Sequence, residues 1–424
     1  RDRSVSRGLG DVYKRQVRDK LLGKEPHDKD YVVVGSTIEE MLSLGFTQVG
    51  KDFPVFLHPK TGEEYALART ERKTGSKHTD FSFEFSSNIT LEEDLIRRDF
   101  TINAMAMDME TGEIIDYFNG KQDLENKILR AVRPETFIED PLRLLRGCRF
   151  AAQLNFNIAS ETMELFKKMV ADGMLEHLTS ERVWKETEKA LSSGYDSEKY
   201  FETLNQCGAL KVLFPEIYRL VNTPEQVKYH PSGNTFKHTM IALSRVKNEN
   251  SLTKFAVVCH DLGKGTTPVD ILPKHSGHDE RGLTEIDSLC DRLKVPNNYR
   301  NCAKTFCKNH MRMARFNEMN VKKQYDMIKE LSNNFKEQML LELYIDCFYA
   351  DWTGENEQTA WNNLDEADAI TTKMRKIFSL MERITLKDLP EKTQEDLSKQ
   401  KGEKFGKLYR DAMISYLKYK LKNS

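Results

Sequence analysis

Two aspartates, Asp28 and Asp30, flank Lys29 directly before the apolar run Tyr31-Val32-Val33-Val34. Side chains alternate faces along a strand, so these two carboxylates project together while Lys29 points away. Like charges this close repel unless a cation lies between them, and oxygen-only ligands suit Mg2+. Such a pair can hold the metal ions that activate an attacking hydroxyl and steady a leaving pyrophosphate. Alone, an Asp-x-Asp is weak evidence, because most such pairs are solvated loop charges. A second constellation lies far downstream: His238 in Thr235-Phe236-Lys237-His238-Thr239, and the adjacent His260-Asp261 in Val258-Cys259-His260-Asp261-Leu262-Gly263-Lys264-Gly265. Two imidazoles and a carboxylate make a mixed nitrogen–oxygen site able to bind a transition metal and polarise water. A lone histidine is more often a satisfied core or surface residue. An adjacent His-Asp with an earlier histidine on another helix is a stronger signal.

The elements that must carry these groups differ between the two regions. Residues 31–34 read as a short apolar strand ended by Gly35-Ser36, with further strands over 64–69 and 114–117 and helices between them. This mixture predicts a compact α/β or α+β unit up to about residue 130. From Pro141 onward the pattern is helical almost throughout. Ser180, with Thr179 as the alternative, is the N-cap candidate for the helix containing Glu181-Arg182-Val183-Trp184-Lys185-Glu186. Trp184 there reads as core in preference to an RNA-stacking residue. Tyr229 to Asn234 form a loop, and a domain boundary is placed just before it. The first sixteen residues lack an initiating methionine and show no clean periodicity, so they read as a non-native or artefactual end that supplies no strand.

A chain of 424 residues exceeds one ordinary core, so two or three domains are expected. Apolar residues make up 39% and charged residues 31%, which excludes wholesale disorder, and no apolar run is long enough to cross a bilayer. The seven cysteines form no CxxC pair and fit reduced thiols in a cytoplasmic protein. A net charge of −1 argues neither for nor against nucleic acid, but its distribution is uneven. Arg69, Arg72, Lys73 and Lys77 cluster, the tail from Lys399 to Lys422 is lysine-rich, and Arg130, Arg133, Arg143, Arg146 and Arg149 form a further group, in which arginines spaced three apart make a one-sided helical stripe suited to phosphate or base contacts.

The Asp-x-Asp stands within an ordered set. Val17-Arg18-Asp19-Lys20-Leu21-Leu22-Gly23 precedes it, and Arg97-Arg98-Asp99-Phe100-Thr101-Ile102-Asn103-Ala104-Met105 follows. Then come Glu139-Asp140-Pro141-Leu142-Arg143-Leu144-Leu145-Arg146 and the Glu181–Glu186 segment. This set closely resembles the bacterial class II tRNA nucleotidyltransferases, the CCA-adding enzymes, and the related bacterial poly(A) polymerases. The resemblance runs from Val17 to about residue 360 and is greatest to the multifunctional type, in which an HD hydrolase domain follows the transferase.

The resemblance implies an α/β head of the DNA polymerase β type, followed by a mostly α-helical neck, body and HD domain. The implied spans are a head at 17–130, a nucleotide-selecting and tRNA-binding neck and body at 131–225, an HD domain at 226–360 and a basic helical tail at 361–424. Asp28 and Asp30 would hold catalytic Mg2+, with Glu71 as a third acidic residue and Glu64 as its rival. Arg18 would meet the triphosphate, and Arg98, Asp99 and Asn103 the incoming ribose and phosphates. Asp140 and Arg143 would read the base edge of CTP or ATP, with Arg146 a further nucleotide contact; a carboxylate and a guanidinium offer complementary acceptors and donors. The HD metal, with Ni2+ among the candidate ions, would be held by His238, His260, Asp261 and Asp351, the last with Asp346 as second choice. His275, His278 and His310 are candidate substrate-phosphate contacts.

The implied activities are CCA addition to tRNA from CTP and ATP, and hydrolysis by phosphatase, 2′-nucleotidase and 2′,3′-cyclic phosphodiesterase reactions. The expected setting is the cytoplasm, with no membrane partner; a homo-oligomer is compatible with the sequence. One departure stands out: Lys14 and Arg15 occupy the places of the family's Gly-Gly turn, whose backbone amides approach the triphosphate. The alternative readings are a poly(A) polymerase, an HD hydrolase with an impaired RNA-binding head, and a tRNA-binding scaffold without turnover.

Overall fold

The computed structural model describes residues 10–13, 16–24, 30–49, 55–73, 81–85, 88–192, 194–225, 233–246, 250–332, 338–353 and 357–423. The chain divides into two compact units, Arg1–Ala190 with Lys199–Leu213, and Leu191–Glu198 with Phe214–Ser424.

The first unit carries, in chain order, β1 (Gly10–Tyr13), β2 (Asp30–Val34), β3 (Thr47–Val49), β4 (Val55–Leu57), β5 (Glu64–Leu67), β6 (Arg69–Lys73), β7 (Phe81–Phe85), β8 (Ala106–Asp108) and β9 (Ile114–Ile115). Seven of them form one sheet in the order β3-β4-β5-β2-β1-β8-β9, while β6 and β7 pair separately. Only β2 and β5 run parallel within the large sheet; its other pairs are antiparallel.

The run Tyr31–Val34 is unbroken because β2 is covered on both faces. Tyr31 and Val33 pack with Met41, Phe46, Phe56, Tyr65 and Leu67. Val32 and Val34 pack with Ala68 and Ile89. Tyr31 and Tyr65 are register partners whose rings stack with centroids 4.2 Å apart. Each fully buried side chain of this size contributes about 1.5–3 kcal/mol, so β2 is a firm support for whatever its first residue carries.

Two expectations need correction. Residues 1–16 were expected to supply no strand, yet β1 lies inside the sheet, antiparallel to β2 on one side and to β8 on the other. Gly-Asp-Val-Tyr is too short to show alternation, and long-range pairing on both edges overrides its weak local propensity. The second concerns the helix Ser180–Ala190, which begins at Ser180. The amides of Arg182 and Val183 bond the Thr179 carbonyl, so Thr179, the alternative, holds the cap position. Trp184 is buried, in keeping with its core reading.

The second unit is a set of helices. Helix Ser251–Cys259 is buried from Thr253 through Cys259, as expected of a helix surrounded by others. It therefore delivers His260 and Asp261 into the interior. It packs with helices Thr235–Ser244, Asn297–Met313 and Gln338–Trp352, and helix His278–Leu293 packs in turn on Asn297–Met313 and on the turn Leu262–Thr266. Among the described residues, no helix is long and apolar enough to cross a membrane.

Candidate functional site

In the first unit Asp30 opens β2, and its register partner across the parallel pair is Glu64 at the start of β5. Two acidic positions therefore stand side by side on the backbone. Asp28 lies outside the described residues, as do Lys14, Arg15 and the side chains of Asp30 and Glu71; Glu64 is exposed.

Four of the expected nucleotide contacts form one chain of hydrogen bonds. Arg18, on helix Gln16–Leu21, donates from Nη1 to Asn103 Oδ1 at 2.8 Å. Asn103 Nδ2 donates to Asp99 Oδ1 at 3.0 Å, and the Phe100 amide donates to the same oxygen at 2.8 Å. Arg146 grips Asp99 Oδ2 from Nε at 2.9 Å and from Nη2 at 2.6 Å. Burial alone would raise the Asp99 carboxyl, but the Arg146 guanidinium, Asn103 and the Phe100 amide outweigh it and hold it well below the usual range. The Arg18 and Arg146 guanidiniums both lie over the Phe150 ring, 5.3 and 5.5 Å from its centroid.

The other expected contacts lie elsewhere. Arg98 meets Asp94 at 3.5 Å. Asp140 and Arg143, expected to act as a pair, are engaged separately. Arg143 donates to the backbone carbonyls of Thr136 and of Arg97, the latter at 2.8 Å. Asp140 is held through both oxygens by Arg182 Nη2, at 3.0 and 3.1 Å. Arg149, the third member of the stripe, is buried and bonds Glu186 at 2.6 Å. The regular spacing of Arg143, Arg146 and Arg149 thus serves three different internal partners. Glycine at 147 lets their helix sit close to its neighbours, since a Cβ there would lie 2.7 Å from Phe166 and 2.8 Å from Phe100.

In the second unit the structure brings together His238, His260, Asp261 and Asp351. His238 Nε2 is 3.0 Å from Asp351 Oδ1 and 3.9 Å from Asp261 Oδ2. His260 Nε2 is 3.2 Å from Asp261 Oδ2 and 3.4 Å from Asp351 Oδ1. His260 Nδ1 donates to the Val257 carbonyl at 2.6 Å, which leaves Nε2 as the ligand atom. That Nε2 is buried and makes no hydrogen bond. Burial opposes a charge on His260, yet the Asp261 and Asp351 carboxylates raise its pKa well above the ordinary value. The same field favours a bound cation, so the donor set fits a divalent metal.

Of the three further histidines, His275 is turned away: Nδ1 meets the Thr267 hydroxyl at 2.8 Å, and Nε2 donates to the Pro224 carbonyl at 2.9 Å. His278 and His310 instead face Asp261, with Nε2 atoms 3.4 and 3.6 Å from Oδ1. Burial pushes His310 down to about 4 and lowers His278 as well. Gly263 makes the approach possible, because a Cβ there would overlap the His278 carbonyl and the Gly282 amide.

The sequence model of the poly A polymerase head domain matches residues 16–130. A model described as a probable RNA and SrmB-binding site of polymerase A matches residues 155–220. A multifunctional CCA protein of Haemophilus influenzae (strain PittGG) is 55% identical over 69% of this chain and 73% of the relative. One from Mannheimia succiniciproducens is 49% identical over 82% of this chain and 85% of its own length. The chain belongs to the multifunctional CCA protein family.

It is accordingly an enzyme, and its head is of the polymerase β nucleotidyltransferase type. The fold also matches a CCA-adding enzyme in apo form II, at TM-score 0.65 and 22% identity over 96% of this chain and 88% of that one. A Thermotoga maritima CCA-adding enzyme complexed with tRNA matches at TM-score 0.62 and 23% identity, over 96% and 87%. A divalent metal goes with the nucleotidyltransferase head, and among the described residues His238, His260 and Asp261 could hold such an ion.

For this member of the family, sequence reasoning missed Arg182 and Lys264. Arg182 stands inside a quoted motif, but no spacing rule ties it to Asp140. Lys264 follows the His-Asp by three residues, and its Nζ bonds Asp261 Oδ2 and Glu225 Oε1, both at 2.8 Å. That i,i+3 spacing from Asp261 was the available signal for Lys264.

Proposed function

We infer that the chain adds cytidine and adenosine nucleotides to tRNA 3′ ends from CTP and ATP without a nucleic acid template, and that its second unit is a phosphohydrolase acting on 2′,3′-cyclic phosphates, 2′-nucleotides and phosphomonoesters. The observation that carries this reading is the joining, in one member of this family, of a head sheet whose central strand opens with Asp30 to a buried His-Asp cluster. The division we propose is head 17–130, neck and body 131–225, HD domain 226–360 and tail 361–424. Seven free, buried cysteines support a reducing, cytoplasmic setting.

Asp28 and Asp30 are the proposed Mg2+ ligands, with Glu64, the register partner of Asp30, a third acidic position beside them. Bound there, Mg2+ supplies charge stabilisation for phosphoryl transfer. The chain's own residues select and orient the nucleotide. Arg18 and Arg146, linked through Asn103 and Asp99, form a pre-organised cationic patch for phosphates. Asp140 is the proposed base-edge acceptor, and Arg182 fixes its plane. In the HD unit His238, His260, Asp261 and Asp351 are the proposed residues that would hold a transition metal, Ni2+ among the candidates, which would supply polarisation of a phosphoester. Lys264 holds Asp261 in place.

Incorporation of CTP, ATP, UTP and GTP on tRNA lacking its 3′ CCA tests the transferase reading. CTP and then ATP should enter. Incorporation of ATP alone would replace it with a poly(A) polymerase, which shares the head.

A further inference from the structure

Within the second unit, beside the His-Asp cluster, lies a cavity of about 300 Å3. One wall is the turn Arg219–Asn222, continued by Thr223 and Pro224. The other is the end of the turn Leu262–Thr266, continued by Thr267. Lys264 lines the cavity, and its Nζ bonds Asp261 Oδ2 at 2.8 Å. The cavity therefore begins one lysine side chain away from the cluster.

The two walls are braced against each other. His275 Nε2 donates to the Pro224 carbonyl at 2.9 Å, so in the neutral ring Nδ1 accepts from the Thr267 hydroxyl at 2.8 Å. Arg281 Nη2 donates in turn to the Thr267 oxygen at 3.0 Å. Lys264 Nζ also bonds Glu225 Oε1, next to Pro224, at 2.8 Å. Gly265 lets the walls meet closely, since a Cβ there would lie 2.9 Å from Arg219 Cβ. His275 is thus a strut between the walls. A cavity tied in this way keeps its shape without a ligand, as small-molecule sites usually do.

Its lining suits a neutral, flat group. The two cations in the walls are already paired, Lys264 with Asp261 and Glu225, and Arg219 with Glu285. Little positive charge is left to attract an anion. Tyr218 offers an aromatic ring, Leu272 apolar contact, and the exposed Asn222 a carboxamide that both donates and accepts. A nucleobase uses this combination, stacking on its face and hydrogen bonding at its edge. The volume stands at the lower end for ligand sites, which fits one nucleoside and not a longer strand.

We propose that this cavity holds the base of the nucleotide whose phosphate is hydrolysed at the His-Asp cluster. The second unit then prefers nucleoside phosphates to phosphoesters that carry no base. This rests on the phosphohydrolase reading given above.

Hydrolysis of adenosine 2′-phosphate and of glycerol 2-phosphate by the full chain tests the preference. The ratio of their kcat/KM values should fall about tenfold in Tyr218→Leu, which removes the stacking ring, and a few-fold in Asn222→Ala. Partial misfolding lowers both rates together and leaves the ratio alone. Photocrosslinking with 8-azidoadenosine 2′-phosphate, mapped by mass spectrometry, reads the place of the base without turnover. Label in the second unit should fall on residues 218–224 and 264–272.

Hydrolysis with the parent's ratio kept in both variants, and label in the second unit confined to other segments, overturns the cavity and leaves the phosphohydrolase standing. Label on these two segments in a chain that hydrolyses neither substrate upholds the base site and removes the phosphohydrolase reading.

Discussion

Arg182 reaches across from helix Ser180–Ala190 to hold both oxygens of Asp140, at 3.0 and 3.1 Å. The side chains are only about a quarter exposed, and the two bonds fix the carboxylate plane. Arg143, three residues from Asp140, is committed to backbone carbonyls. The two arginines should therefore fail differently. Arg182→Ala should lower discrimination of CTP and ATP against UTP and GTP by roughly tenfold, the effect of about 1.4 kcal/mol lost in base recognition. Arg143→Ala should instead lower stability, by about 1.5–3 kcal/mol for lost charge-assisted bonds. Incorporation assays on all four nucleotides, with urea midpoints, separate the two. An equal fall with every nucleotide in Arg182→Ala would remove Asp140 from base reading.

Asp28→Ala or Asp30→Ala should abolish nucleotide addition and leave cyclic-phosphate hydrolysis intact. A metal supplies several kcal/mol of charge stabilisation, so the loss should be roughly a hundredfold or more. Addition at the parent rate in either variant would take the Asp-x-Asp out of the mechanism.

His260→Ala and Asp261→Ala should do the reverse, eliminating hydrolysis of a 2′,3′-cyclic phosphate while sparing nucleotide addition. The two clusters belong to different compact units. Chelation followed by readdition of single ions should restore hydrolysis with transition metals and addition with Mg2+. Loss of both activities in a folded His260→Ala chain would refute separate sites.

Gly263→Ala should damage hydrolysis without touching a ligand. The added methyl overlaps the His278 carbonyl and the Gly282 amide, so helix His278–Leu293 must shift. Overpacking of this kind typically costs about 1–3 kcal/mol. Weaker metal retention with an unchanged rate of nucleotide addition is the expected pattern, read from dialysis and incorporation assays on one preparation.

Asp99 links stability to acid. Its carboxyl is held below the ordinary value in the folded chain, against burial, by Arg146, Asn103 and the Phe100 amide. A depressed pKa means the unfolded chain binds the proton more readily. The contribution is therefore complete above the unfolded pKa of about 4 and fades as pH falls through the folded value. Urea midpoints of parent and Asp99→Asn should differ most near neutrality and converge in acid. A constant gap from pH 7 to pH 3 would remove Asp99 as an acid-sensitive group.

The parts legible in the sequence were those fixed by local pattern. Tyr31–Val34 announced itself because a strand covered on both faces has no reason to alternate. The His-Asp pair was legible because a buried helix delivering two adjacent ligands is rare by chance. What escaped notice depended on distant partners. β1 is a strand because β2 and β8 supply bonds on both its edges, and nothing in Gly-Asp-Val-Tyr says so. Arg182 finds Asp140 only once helix Ser180–Ala190 has packed on helix Leu142–Leu154, which Asp140 precedes. His278 and His310 were visible as histidines, but which atoms face each other depends on the carbonyls that take their Nδ1 hydrogens.

The place of β1 in the sheet also sets a timetable for the growing chain. Its antiparallel partner β2 emerges soon after it, but its other edge waits for β8, roughly a hundred residues later. At synthesis rates of ~5–20 residues per second, that edge stays open for roughly 5–20 s. An open edge is a template for pairing with a neighbouring chain. The head is thus most vulnerable to mispairing while still on the ribosome, and slowing translation between Tyr13 and Ala106 should lower the soluble yield more than an equal delay placed after Asp108.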